Sequence, residues 1–284
     1  MNKRPNSLFL TSVLLSLCLL FTACSPAVGK SNGPAETKTA DRGIASPSTG
    51  VGRYDENAEP HNITICIDPG HGFDDNGCTS DFLPDHTEKE LTLLYANLVR
   101  DKLEQLGYTV IMTHDGESFP QEFNENGNNK YSPEERTAYA NSQQIDYYLS
   151  LHCDSFNEDY SVGGTRIYYC ESNAKKQLYS VDVANAIQAR LNQTFPDDKE
   201  VAVHNMKVSE SYYVIRETYA AASLIEVGFI TNEADVSKLM DADWQKAFSV
   251  AVAEGIDDYF TTVATTESVA TAEGGRVDGI QFPV

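Results

Sequence analysis

Between Asn62 and Phe260, short apolar runs alternate with stretches whose apolar residues recur at helical spacing. This pattern predicts a single α/β domain with a mostly parallel twisted sheet flanked by helices. The β-branched run Ile63–Ile67 predicts the first strand. Leu91, Leu94, Tyr95, Leu98, Val99, Lys102 and Leu103 then mark one face of a helix that Gly107 stops. Tyr108–Thr113 predicts the second strand, and Asp115–Tyr131 is a polar loop of a length that is functional or mobile inside a compact domain. Ser132 as N-cap, Pro133 at the first helical position and Glu135 as capping-box partner start the next helix. Further strands are expected at Asp146–Leu151, Gly164–Cys170 and Ser223–Val227. Helices are expected over Ala174–Phe195, Glu233–Met240 and Trp244–Tyr259, whereas Val201–Thr218 has no period that assigns it.

The two ends look unlike this middle. Lys3 and Arg4 precede the apolar run Leu8–Ala23, which is short for a membrane span and reads as a secretory signal over residues 1–23. Thr22 and Ala23 directly before Cys24, with polar residues after it, resemble a bacterial lipoprotein cleavage site, so Cys24 is expected to be the lipidated first mature residue. Residues 24–61 are rich in Gly, Pro, Ser, Thr and charge and too poor in apolar surface to fold, which makes them a tether. Such a chain reaches about 30–35 Å on average and roughly 120 Å when fully stretched. The domain is expected over residues 62–260 and a low-complexity tail over 261–284. The expected location is extracytoplasmic, at a membrane through an N-terminal lipid.

Charge narrows the partners. Lys3 and Arg4 leave with the signal, so 19 basic residues face 42 acidic ones, a net charge of −23. That balance argues against a nucleic-acid partner. Cys66, Cys78, Cys153 and Cys170 fit no zinc-finger spacing and are read as small hydrophobes rather than disulfide partners.

Candidate chemistry gathers where the predicted strands end. His71 lies in Asp68-Pro-Gly-His-Gly72 just after the first strand, His152 closes Tyr147–His152, and Glu226 closes Ala222–Glu226. In a parallel α/β sheet such positions converge on one edge. Glu88 opens the helix after the first strand, where the helix dipole also favours a carboxylate. Two imidazoles and one carboxylate suit Zn2+ and leave one acid over. His61, His86, His114 and His204 are read as surface or loop histidines, with His86 close enough in sequence to Glu88 to compete for an ion. Asp68 is expected either to orient a ligand histidine or to cap its own turn.

Five segments carry a resemblance: Asp68-Pro-Gly-His-Gly72, Glu88-Lys-Glu-Leu-Thr-Leu93, Glu134-Glu-Arg-Thr-Ala-Tyr-Ala-Asn141, Ser150-Leu-His-Cys-Asp154 and Leu224-Ile-Glu-Val-Gly-Phe-Ile-Thr-Asn232. In this order they resemble the zinc-dependent N-acetylmuramoyl-L-alanine amidases of the amidase type 3 family. The resemblance implies hydrolysis of the amide between N-acetylmuramic acid and the L-alanine of the peptidoglycan stem. It also implies that His71, Glu88 and His152 hold the metal and that Glu226 is the catalytic glutamate; Arg136 and Asn141 match the family pattern too, but are read as structural residues that fix the second helix. The chain departs from the family at Phe73, where a second glycine is common, at Cys153 and Asp154, which replace Ala and Asn, and at Ala221 and Ala222, where proline is usual. Three other readings stay open: another zinc peptidase acting on wall peptides, a non-catalytic wall-binding module, and a thiol enzyme using Cys153. The last is disfavoured because neighbouring residues on a strand face opposite ways.

Overall fold

The computed structural model describes residues 62–124, 127, 129–170, 180–202, 206–209 and 211–272. The signal, Cys24, the tether, His61, His204, the start of the helix expected at Ala174, and residues 273–284 lie outside the described residues. A six-stranded sheet runs in the order β2-β1-β3-β6-β4-β5. Its strands are β1 (Thr64–Pro69), β2 (Thr109–Met112), β3 (Tyr147–Asp154), β4 (Arg166–Tyr169), β5 (Met206–Val208) and β6 (Ala221–Phe229). β2, β1, β3 and β6 are mutually parallel, while β4 pairs antiparallel with β6 and carries β5 parallel to itself. The mostly parallel sheet is therefore as expected, and β5 supplies a strand in the stretch that showed no period.

Both faces are covered, which explains why the strands are continuously apolar. On one face α1 (Glu88–Gln105), α3 (Ser180–Thr194) and α7 (Ala242–Ala272) bury a core that includes Ile65, Ile67, Leu149, Leu151, Ile187 and Phe248. α2 (Pro133–Ser142) and α5 (Tyr213–Glu217) cover the other, over Cys66, Tyr148, Ala222 and Leu224. Short helices α4 (Lys199–Ala202) and α6 (Glu233–Leu239) complete the connections. The capping box of α2 forms as expected: the Ser132 hydroxyl accepts from Glu135 N–H at 3.2 Å, and the Glu135 carboxylate accepts from Ser132 N–H at 2.8 Å. Two helical expectations need correction. Leu94, placed on the buried face of α1, is exposed, because Ala96 and Thr92 turn inward instead. The last helix does not stop at Tyr259 but continues to Ala272, into the stretch set apart as a tail.

Candidate functional site

The strands bring His71, Glu88 and His152 together, with one ligand atom from each lying within 4.8 Å of the others. Glu88 is 2% exposed and sits at the centre. Its Oε2 accepts from Cys78 N–H at 2.7 Å and faces His71 Nε2 at 3.1 Å. Its Oε1 accepts from Cys153 N–H at 3.1 Å and from His152 Nδ1 at 3.1 Å. Glycine makes this packing possible. A side chain at Gly77, where φ is +68°, would put its Cβ 2.5 Å from Glu88 Oε2, and one at Gly70 would collide with the His152 ring.

His71 does not lie on the strand but one turn beyond it, with φ at 66°. A positive φ is uncommon for a residue with a side chain and persists only where its surroundings enforce it. They do so here through many bonds. Gly70 N–H donates to Leu151 O at 2.8 Å, Thr92 Oγ1 donates to Gly70 O at 2.7 Å, and Gly72 pairs with Asp75 in an isolated bridge. Asp75 Oδ2 accepts a hydrogen bond from His71 Nδ1 at 2.9 Å, which leaves Nε2 turned towards Glu88. Burial opposes charging of His71, but Asp75 and Glu88 outweigh it and raise the pKa to about 9 in the metal-free protein. Asp75 in turn is lowered to about 2, chiefly by its bond to His71. The residue that orients a histidine is thus Asp75, not Asp68.

Asp68 has a different task from either expectation. It is fully buried, paired with Arg136 Nε at 2.8 Å, and accepts from Thr113 Oγ1 at 2.7 Å and Ser150 Oγ at 2.8 Å. Burial works against its charge, yet Arg136 and the two hydroxyls hold its carboxyl below the usual range. The pair locks α2 against β1 and β3. Asn141 ties the other end of α2 to the approach to β6, donating to Glu217 O at 2.9 Å and accepting from Tyr219 N–H at 2.6 Å.

Glu226 lies directly opposite His152 in the β3–β6 register. Neither residue is the last of its strand, since β3 continues through a bulge to Asp154 and β6 to Phe229. Glu226 is 5% exposed; its Oε1 lies 3.5 Å from Tyr212 Oη, and its Oε2 has no hydrogen-bond partner among the described residues. Burial, with the carboxylates of Asp154 and Glu88 nearby, pushes its carboxyl well above the usual range. A dication beside it would act in the opposite direction. Tyr212 and Asp154 were not singled out from sequence as parts of this site. The sequence signal for Asp154 is its two-residue spacing from His152, which puts both on one face of a strand.

The other histidines divide. His86 is outside the cluster and pairs with Glu90 at 3.5 Å. His114 is not a surface residue: it is 3% exposed, with Nε2 donating to Pro69 O at 3.0 Å and Nδ1 accepting from Gly116 N–H at 3.2 Å. It braces the His71 loop together with Phe73, whose ring meets His114 at 5.3 Å and Phe119 at 4.6 Å. Cys153 turns into the core on the face opposite His152 and Glu226, and burial pushes its thiol far up, so a thiolate beside His152 has no support.

Two imidazoles and a carboxylate at the carboxyl edge of a parallel sheet, with a second buried carboxylate across the register, form a site suited to metal-assisted hydrolysis. The chain belongs to the N-acetylmuramoyl-L-alanine amidase family, which it matches over residues 65–258. It is 31% identical to Bacillus subtilis YqiI over 205 residues, 72% of this chain and 88% of that protein. It is 31% identical to the N-acetylmuramoyl-L-alanine amidase LytC of the same organism over 69% of this chain, but spans only 35% of LytC. The fold matches that of the N-acetylmuramoyl-L-alanine amidase from Clostridium difficile 630 with a TM-score of 0.60 at 24% identity, covering 70% of this chain and 97% of that one.

Proposed function

We propose that this protein is a zinc-dependent peptidoglycan hydrolase that cleaves the amide between N-acetylmuramic acid and the L-alanine of the stem peptide. The observation that carries the reading is the Glu88 carboxylate bridging His71 and His152, with Glu226 facing them across the β3–β6 register. The donor set fits zinc: the ligand atoms are within 4.8 Å of one another, and Asp75 fixes which nitrogen His71 presents. Zinc, when bound by His71, Glu88 and His152, supplies Lewis acidity that brings the pKa of water to about 7 and polarises the scissile carbonyl. Glu226 then accepts the proton of the attacking water on its unpartnered oxygen. The same carboxyl returns the proton to the leaving amine of L-alanine, so a single residue serves as base and then as acid. Tyr212 steadies the carboxyl in both states.

The proposal includes an extracytoplasmic protein held at the membrane by a lipid on Cys24, with residues 25–61 as tether. No helix among the described residues is long and apolar enough to cross a membrane. Cys24→Ala is expected to move the protein from the membrane fraction to the medium, and retention in the membrane would favour an uncleaved hydrophobic anchor. The released Cys24→Ala protein supplies the decisive assay, in which purified peptidoglycan is digested and the products are weighed by mass spectrometry. Stem peptides with a free L-alanine amino terminus, lost on chelation and restored by zinc, are expected. Cuts elsewhere in the stem would make it a different peptidase, and no cuts at all a binding module.

A further inference from the structure

A cleft of about 500 Å3 opens between the loop joining β1 to α1 and the loop that follows β3. Both ends of the first loop are pinned at the metal-binding carboxylate. Cys78, whose N–H binds Glu88, immediately precedes the first wall residue Thr79, and Thr87, the last, immediately precedes Glu88. The second loop is tied to the same place, since Ser155 Oγ donates to Cys78 Sγ at 3.1 Å and Phe156 N–H donates to Thr231 Oγ1 at 2.9 Å. The cleft therefore lies beside the catalytic site, although none of His71, Glu88, His152 and Glu226 is in its walls.

Its walls have a distinct chemistry. Phe82 and Tyr160 meet edge to face at 5.7 Å and remain 38% and 54% exposed, an aromatic pair left in water beside a reactive centre. Around them stand hydroxyl and amide groups from Ser80, Asn157 and Thr231. Asp81 and His86 also line the cleft, and no lysine or arginine does. An anionic stem peptide finds no counter-charge there; Arg166, the cation at the β4 position paired with Glu226, is not in these walls. A pyranose ring is the better match, because it offers an apolar C–H face to an aromatic ring and a rim of hydroxyl and amide groups to polar partners.

We propose that this cleft is a saccharide subsite that receives a neutral N-acetylhexosamine ring of the glycan strand next to the muramic acid at the cut. The inference rests on the amidase reading and deepens it, assigning the glycan strand as the element recognised. The test uses two soluble substrates with the same stem peptide, one on a single N-acetylmuramic acid and one on a four-sugar strand. The wild-type protein is expected to show a KM about tenfold lower for the four-sugar substrate, the scale of one aromatic contact. In Phe82→Ala/Tyr160→Ala that advantage should vanish through a rise in KM for the four-sugar substrate. Calorimetry with the peptide-free four-sugar strand should show binding to the wild type and none to the double variant, a readout independent of turnover and of zinc. Equal KM values for the two substrates in the wild type, or an advantage that survives in the double variant, would each overturn the assignment. If the wild type cleaves neither substrate, the amidase reading fails, and the calorimetric result alone then decides the cleft.

Discussion

The two sides of the catalytic edge are built in opposite ways. On the metal side every polar atom that matters is tied down: Glu88 has four partners, His71 is held by Asp75, and the loop carrying His71 is bonded to β3, α1 and His114. On the side of Glu226 the opposite holds, with one bond of 3.5 Å from Tyr212 and one carboxylate oxygen without a partner among the described residues. Buried polar atoms are normally satisfied, so an exception calls for an explanation, and at Glu226 the proposed proton transfer supplies one. The contrast teaches a division of labour. Ligands must be rigid, because a misplaced donor weakens the ion, whereas a proton carrier must keep a lone pair free for water and for the leaving amine.

The sharpest way to break this comparison is to remove the proton carrier alone. Glu226→Gln keeps the size of the side chain but cannot accept a proton, and amide cleavage is expected to fall by about 10²- to 10⁴-fold. Zinc content, measured on the purified variant, should stay at the wild-type level. In His71→Ala or His152→Ala the zinc itself should be lost. A Glu226→Gln protein that lost its metal would place Glu226 among the ligands and erase the distinction between the two sides.

Much of the metal side was legible in the sequence, because its signals are local. A histidine four residues past the β-branched run Ile63–Ile67, and another directly after the apolar run Tyr147–Leu151, project to the same edge once the strands are parallel. The side of Glu226 was far less legible. β4 runs antiparallel to β6, so the pairing of Arg166 with Glu226 depends on a long-range register that no local pattern encodes. Tyr212 lies in a stretch whose period is neither helical nor extended, since it spans a three-residue strand and a five-residue helix. The orienting role considered for Asp68 falls to Asp75 for a similar reason. Asp68 leads directly into the His71 turn in sequence, yet its side chain lies on the sheet face covered by α2, where Arg136 waits.

That buried pair gives the next test, one of framework rather than chemistry. Arg136 is 3% exposed and Asp68 fully buried, so Arg136→Leu strands a carboxylate in the interior. A loss of about 3–5 kcal/mol in unfolding free energy is expected by denaturant titration. Asp68→Ala/Arg136→Leu should recover part of that loss, because the uncompensated charge is gone. The wild-type protein should show a matching pH dependence. The folded carboxyl lies below its unfolded value, so this contribution is present above about pH 4 and is lost as pH falls through the folded value.

The smallest effect sharpens the comparison most finely, because it asks whether rigidity on the metal side comes from the loop or from a single bond. Asp75 is partly exposed and is not one of the three candidate ligands; its side chain holds His71 Nδ1 at 2.9 Å and accepts from Gly77 N–H at 3.1 Å. In Asp75→Ala the loop keeps its bonds to Leu151, Thr92 and His114, while the ring loses its orientation and part of its basicity. Loss of such an outer carboxylate costs about 10- to 100-fold in metal affinity. Competition against a fluorescent zinc chelator at pH 7 should show a weakening of this size, with the fold intact by circular dichroism. If affinity is unchanged, the backbone of the loop orients His71 without help, and the positive φ at that residue carries the whole of the preorganisation.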